Sequence, residues 1–260
     1  MKALPQRLAG RCLFRAELYV PLMFQGRRIG WLRPELAARL RAWPAVFSSS
    51  ADRVALLQPG ALAPVVEELA AEGFIPGWRN EPYRIAGAFD IERAAARPFG
   101  LRTEAVHVNG LCGERMWLAR RSSSKATDPG MLDNMVGGGI GGGLSVEETL
   151  LKEAWEEAGI DPALARRATR GGTVELLREV AEGVQCELVH VYDLDLPRDF
   201  TPKNQDGEVA EFRLLALAEV RRLVEDSDEL TVDAALVALD FFSRRSAPRA
   251  PAPAGAGRVT

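Results

Sequence analysis

Residues 133–160 read DNMVGGGIGGGLSVEETLLKEAWEEAGI, and this stretch decides how the rest of the chain is read. Six glycines lead into a segment in which Ser145 and Glu148 have the spacing of a capping box. In that motif the hydroxyl takes the N3 amide and the carboxylate returns to the cap amide. A helix is therefore predicted from Val146, closed by Gly159 in the left-handed conformation that glycine adopts without strain. At about 100° per residue, Glu153, Glu156 and Glu157 fall on one arc of that helix. Leu151, Ala154, Trp155 and Ala158 lie on the packing side, with Leu150 at the edge. Glu148 and Lys152 are spaced as an i,i+4 ion pair, worth ~0.3 kcal/mol on a helix surface, and the other three acids are left without a partner.

Three carboxylates so close repel one another unless a cation neutralises them, and a hard, oxygen-seeking ion such as Mg2+ or Mn2+ suits them. An acidic helix alone reads more readily as a solvated surface element, and it is the context that reverses this. The glycines preceding it, Gly137, Gly138, Gly139, Gly141, Gly142 and Gly143, point to a loop whose backbone comes close to a ligand or metal. They lack the Gly-Lys-Ser/Thr ending of a P-loop.

This stretch resembles the signature of the Nudix hydrolases, G-x5-E-x7-R-E-U-x-E-E-x-G-U, where U is aliphatic. Gly138, Glu153, Glu156, Glu157, Gly159 and Ile160 fall in register; Leu144 stands where the family has Glu, and Lys152 where it has Arg. The resemblance, spanning roughly residues 102–245, implies an α/β fold: a Nudix α/β/α sandwich around a mixed sheet, preceded here by a small α/β N-terminal domain. It implies metal binding by Glu153, Glu156 and Glu157, with Glu157 among the catalytic residues. A further carboxylate outside the signature often completes such sites, and Glu208 is the candidate base, with Glu211 behind it. More narrowly, WLARRSSSKATDPGMLDNMVGGGIGGGLS, VHVNG, NQDGEVAEFRLL, GRRIGWLRPE and GWRNEPYRI are similar to the subgroup related to the Nudix part of fungal thiamine pyrophosphokinase fusions. That likeness implies hydrolysis of thiamine diphosphate or its oxidised analogues to the monophosphate. An ADP-ribose or oxidised-nucleotide pyrophosphatase, and a non-catalytic Nudix ligand sensor, are the competing expectations. Isopentenyl-diphosphate isomerases share the RSxxK…PG stretch but need a Cys/Glu pair and a His-containing metal site, and no cysteine lies between Asn134 and Cys186.

Composition sets the frame around this centre. The 260 residues are 47% apolar and 27% charged, enough for one large or two modest domains. A net charge of -3 argues against a general nucleic-acid binder. Cys12, Cys112 and Cys186 are far apart and form no metal-ligand spacing, as expected of reduced thiols. No apolar run approaches the ~20 residues that span a bilayer, and the first residues lack the apolar core of a secretion signal. A cytoplasmic enzyme with a small-molecule diphosphate as partner is expected, without nucleic acid or membrane. The oligomeric state is open between a monomer and a homodimer.

Three segments are expected: an accessory domain over residues 1–98, the Nudix domain over 99–245 and a disordered Ala/Pro/Gly/Arg tail over 246–260. The first shows a hairpin, 19–24 and 28–32, around Gln25-Gly26, a short helix over 34–42, a strand over 54–58 and an amphipathic helix over 61–72 closed by Gly73. Residues 74–85 mix aromatics with Arg79 and Arg84, either lining a pocket for a flat ring or packing between domains. In the second, strands 105–108 and 116–119 are expected to join through Asn109-Gly110 and Gly113, and 173–179 pairs with 185–193. Between the first pair and the glycines lies a basic loop, 120–134, where Arg121 and Lys125 could meet a diphosphate or simply be solvated. Arg121, Lys125, Gly137, Gly138 and Gly139 are thus the candidate substrate contacts. His190 reads as a satisfied sheet residue, and with only His107 besides, metal binding would rely on oxygen.

Overall fold

The structure is a computed structural model that describes residues 4–246. The expectation for 246–260 lies outside the described residues, except that Ser246 ends the last helix.

The N-terminal part begins with α1 (Gln6–Arg11) and the hairpin β1 (Val20–Phe24) and β2 (Arg27–Leu32). Gln25 and Gly26, at φ 49° and 76°, turn it in the left-handed pair that matches strand twist. The helix α2 (Pro34–Arg39) continues into a 3-10 turn, followed by β3 (Phe47–Ser49), β4 (Val54–Leu56) and α3 (Leu62–Ala71). The strands form one sheet in the order β2-β1-β4-β3. Leu22, Leu32, Leu40, Val54 and Leu56 bury one apolar layer against Val66 and Leu69 of α3. A small hairpin, β5 (Pro82–Ile85) and β6 (Phe89–Glu92), adds Tyr83, Ile85, Phe89 and Ile91 to that core.

The larger sheet is built from β7 (Arg102–Cys112), β8 (Arg115–Arg121), β9 (Leu132–Asn134), β10 (Val136–Gly139), β11 (Thr169–Val180), β12 (Gly183–Asp195) and β13 (Val209–Ala216). Its order is β11-β12-β7-β8-β13, with β10 on β7 and β9 on β8. β12 runs parallel to β7 while the other pairings are antiparallel, so the sheet is mixed. The expected turn at Asn109-Gly110 is absent: both residues lie inside β7, and the chain reverses at Gly113, φ 62°. Gly110 is required in the strand because a Cβ there would overlap Met135.

Helices α4 (Val146–Ala158) and α5 (Pro162–Ala165) cover one face, over Val106, Val108, Val136 and Leu194. Helices α6 (Leu217–Asp226) and α7 (Val232–Ser246) cover the other, over Met116, Leu118, Leu132 and Leu176. The result is an α/β/α sandwich. Leu8 of α1 is buried in the α6–α7 core, and Arg11 donates to the Leu230 carbonyl at 2.8 Å. The chain's first helix therefore packs on the large sheet's layer and not on the N-terminal sheet where its sequence position put it.

Candidate active site

α4 starts and stops where its residues dictate. Ser145 Oγ accepts from the Glu148 amide at 3.1 Å, Glu148 accepts from the Ser145 amide at 2.8 Å, and Gly159 closes the helix at φ 64°. Which arc is buried differs from the sequence expectation. Leu150, Ala154, Glu157 and Ala158 face inward, whereas Trp155 is 50% exposed. Lys152 also chooses other partners: its Nζ donates to Glu153 at 2.9 Å and Glu156 at 2.8 Å, because the capping box holds Glu148. Lys152's pKa is raised: burial opposes its charge, but these two carboxylates outweigh it.

The acids on α4 are thus unequal. Glu156 lies toward solvent, while Glu153 and Glu157 reach back to β10. Glu157 is 6% exposed, and its Oε2 accepts the Gly137 N–H at 2.7 Å. Burial pushes its pKa well above the carboxylate range; the Gly137 amide and Lys125 oppose this, while Glu153 and Asp133 add to it. Burial likewise raises Glu153 against the pull of Lys152.

The glycines are not a free loop. Gly137, Gly138 and Gly139 form β10, paired with His107, Val106 and Ala105 of β7. What they lack is side-chain volume: a Cβ on Gly138 would overlap the Glu153 carboxylate, one on Gly139 the Tyr83 hydroxyl, and one on Gly137 would lie 2.9 Å from the His107 ring. Glycine here makes room for the functional groups of neighbouring elements.

The two cations expected to meet a diphosphate are already engaged. Arg121 Nη1 donates to Asp133 at 2.9 Å, and its Nε and Nη2 donate to the Thr127 carbonyl at 3.1 and 2.9 Å, which orders the loop between β8 and β9. Lys125 is ion-paired with Glu208. Burial resists ionisation of Glu208, yet Lys125, with Arg121 and Arg93 behind it, outweighs burial and holds its pKa below the usual value. Lys125 also acts on Glu157, and Glu208 on Glu153, so the four share one electrostatic neighbourhood. Glu211 stands apart, exposed and paired with Arg120 at 3.5 Å.

Among the described residues no three acidic, His or Cys side chains converge as a ready-made metal site. Lys152 draws Glu153 and Glu156 to its own ammonium, and Glu157 turns to Gly137. The donor set nonetheless fits a hard cation: the half-buried Glu153 stands close enough to the buried Glu157 to raise its pKa, and oxygen is the only ligand atom they offer.

Beside this cluster is a cleft of about 320 Å³ whose wall includes Gly137, Gly138 and Gly139. Its large-sheet side is lined by Thr103, His107, Arg121, Asp133, Glu187 and Asp233. The N-terminal part contributes Arg79, Tyr83, Arg93 and Arg97. Arg93 stacks 5.2 Å above the Tyr83 ring and binds Glu81 at 2.8 Å. Gly142 donates to the Pro82 carbonyl at 2.7 Å, and Val184 to that of Arg97 at 2.9 Å, so this roof is bonded to the sheet. Sequence reasoning placed Arg79 and Tyr83 in a stretch suited to a pocket, but found neither Arg93 and Arg97 nor His107, Asp133 and Glu187. Arg93 and Arg97 flank an alanine run that carries no mark of a site, and sheet register brings in the others. A roomier hollow of about 970 Å³, lined by Arg28, Trp31, Leu144 and Glu104, lies toward the start of α4. Neither hollow is lined by Glu153 or Glu157 themselves, but only the smaller one has in its wall the Gly137–Gly139 strand that these two carboxylates meet, which makes it the better candidate for substrate.

Comparison with known proteins agrees with this geometry. The NUDIX domain family matches residues 101–234, and the family described as "Domain of unknown function (DUF4743)" matches residues 6–103. "Nudix hydrolase 20, chloroplastic" of Arabidopsis thaliana is 36% identical over 253 residues, covering 87% of this chain and 68% of its own. "Nudix hydrolase 24, chloroplastic" of the same plant is 36% identical over 255 residues, covering 90% of this chain and 70% of its own. An isopentenyl-diphosphate Delta-isomerase of Cereibacter sphaeroides is 27% identical over 140 residues, covering 54% of this chain and 77% of its own.

Proposed function

Because this chain belongs to the Nudix family and is a Nudix pyrophosphohydrolase, we propose that it cleaves thiamine diphosphate or an oxidised analogue to the monophosphate. The observation that carries the reading is a pair of carboxylates, the half-buried Glu153 and the buried Glu157, meeting the glycine strand that walls the cleft. The choice of substrate rests on the subgroup likeness of the sequence. It is supported by a cleft of about 320 Å³, suited to a small organic diphosphate, and by Arg93, a cation stacked on the buried Tyr83 ring in the cleft's roof.

In this reading Glu153, Glu156 and Glu157 would hold Mg2+ or Mn2+. Such an ion supplies positive charge to the diphosphate oxygens and acidifies a water. Glu208, kept ionised by Lys125, takes the proton from the attacking water, so that hydroxide adds to one phosphorus as the other phosphate leaves. Arg121 shapes the loop beside the phosphates through Asp133 and Thr127. The Gly137–Gly139 backbone lies along the cleft at the height of the α4 carboxylates.

One observation favours a second reading, a ligand sensor without turnover: the Lys152 ammonium bridges Glu153 and Glu156, where a cation would otherwise sit. The test is phosphate release with Mg2+ and with Mn2+ from thiamine diphosphate, its oxidised analogues, ADP-ribose and isopentenyl diphosphate, using wild type and Glu157→Gln. Thiamine-type cleavage that Glu157→Gln abolishes supports the proposal. Preference for ADP-ribose removes the substrate assignment, and binding without cleavage leaves the sensor.

A further inference from the structure

A row of buried amides ends at the cleft. Asp193 is clamped by Arg244, whose Nη2 donates to Oδ1 at 3.1 Å and whose Nη1 bonds Oδ2. A carboxylate in that state only accepts, so Asn109 must turn its NH2 toward Asp193, which it meets at 2.9 Å. Asn109 Oδ1 then faces the row and accepts from Asn134 Nδ2 at 3.1 Å, leaving Asn134 Oδ1 for His107 Nδ1 at 2.8 Å. The proton of a neutral His107 is therefore on Nδ1, and the Asp133 carboxylate, 3.8 Å away, pulls it the same way.

Nε2 is left with its lone pair. His107 is 7% exposed and lines the cleft, its ring lying against Gly137, and among the described residues no hydrogen bond engages Nε2. The same wall carries the carboxylates of Glu187 and Asp233, which take donors from Gln185 Nε2 at 3.0 and 3.2 Å. Burial and Asp233 raise the pKa of Glu187 while Arg97 opposes them, so beside the bare His107 Nε2 this end of the cleft offers the Asp233 carboxylate as acceptor next to the Arg97 cation.

We propose that His107 recognises the non-phosphate end of the substrate, its Nε2 accepting a hydrogen bond from an N–H of a nitrogen heterocycle. The inference rests on the diphosphate-hydrolase reading above and narrows it to diphosphates whose organic part bears an amino group or ring N–H. A purely hydrocarbon diphosphate would strip water from these acceptors and return nothing, which is how a polar pocket rejects an apolar ligand. Asp193, Asn109 and Asn134 act through His107 as positioning residues.

Two measurements decide it. Ring nitrogen NMR shifts are read on the full chain, whose only other histidine is His190. Neutral His107 is expected with a protonated Nδ1 and a bare Nε2, and Asp193→Asn, which frees the row to reverse, is expected to mix the two tautomers. A proton on Nε2 of the neutral wild-type ring overturns the inference. In the second measurement, calorimetric affinities for thiamine diphosphate, ADP-ribose and inorganic diphosphate are compared in wild type, His107→Phe and His107→Gln without divalent metal. His107→Phe, which fills the ring's place, is expected to weaken the better-bound amino-heterocycle diphosphate about tenfold. Inorganic diphosphate should bind unchanged, and His107→Gln, which returns an acceptor, should recover part of the loss. Equal weakening of inorganic diphosphate, no weakening of either organic ligand, or no binding of either to wild type overturns it. Binding without later cleavage defeats the hydrolase reading and leaves this one standing; cleavage that His107→Phe does not disturb does the reverse.

Discussion

The Tyr83 hydroxyl occupies the space where a side chain on Gly139 would begin. A residue of the N-terminal hairpin and one of the glycine strand are therefore complementary across the boundary between the two parts of the chain. Gly139→Ala should cost ~1–3 kcal/mol, as overpacking does, because Tyr83 is buried and cannot swing clear. In a Tyr83→Phe background the same change should cost clearly less. Urea unfolding of the four proteins of this cycle checks it; equal costs in both backgrounds would show that the two residues do not meet.

Lys152 competes with any cation for Glu153 and Glu156. Lys152→Ala should raise the affinity for Mn2+ about tenfold, an effect of ~1.4 kcal/mol, well within what a charge at that distance exerts. Metal titration of the two proteins by calorimetry is the measurement, and a weaker affinity in the variant would mean that Lys152 organises the acids for the ion.

Glu157 makes the metal-free fold sensitive to pH in a defined direction. Its folded pKa is raised by burial, so the fold favours the protonated acid. The resulting penalty is absent below the unfolded pKa, about 4.3, and grows as pH rises toward the folded value. Glu157→Gln should therefore melt at a higher temperature than wild type at pH 7.5 and nearly together with it at pH 4, in EDTA. Adding Mg2+ at pH 7.5 should stabilise wild type and not the variant.

The Lys125–Glu208 pair predicts a movement of the acid limb of the rate profile. Lys125 holds the Glu208 pKa below its usual value, so a base at this position stays active at acidic pH. Lys125→Ala should shift the acid limb of kcat/KM upward in pH. Glu208→Gln should lower kcat by ~100- to 10,000-fold, the scale of a lost general base, with little change in KM. An unmoved limb in Lys125→Ala would assign that proton to another group.

The helix carrying the acids was legible to the residue, because Ser145, Glu148 and Gly159 act on their own backbone. Its orientation was not. Leu150 and Trp155 are equally apolar in a string of letters, and only the position of β10 decides that the first is buried and the second bare. Lys152 had a carboxylate four residues away on either side, and the capture of Glu148 by Ser145 left it Glu156. The glycine run misled for a related reason. Missing side chains read alike whether a ligand or a neighbouring Glu153, Tyr83 or His107 fills the space. Half of the cleft's roof was not visible, since Arg93 and Arg97 gain meaning only where their turn meets a strand more than forty positions along the chain.

That roof and the acids come from different parts of the chain. The acids lie on α4, while Tyr83 and Arg93 come from before residue 98. What the cleft accepts can therefore be altered in part from a region that holds none of the α4 acids, provided that its contacts with Gly139 and with the α6–α7 core are kept. An exchange of Tyr83, Arg93 and their neighbours between relatives is a route to changing preference without touching the α4 acids.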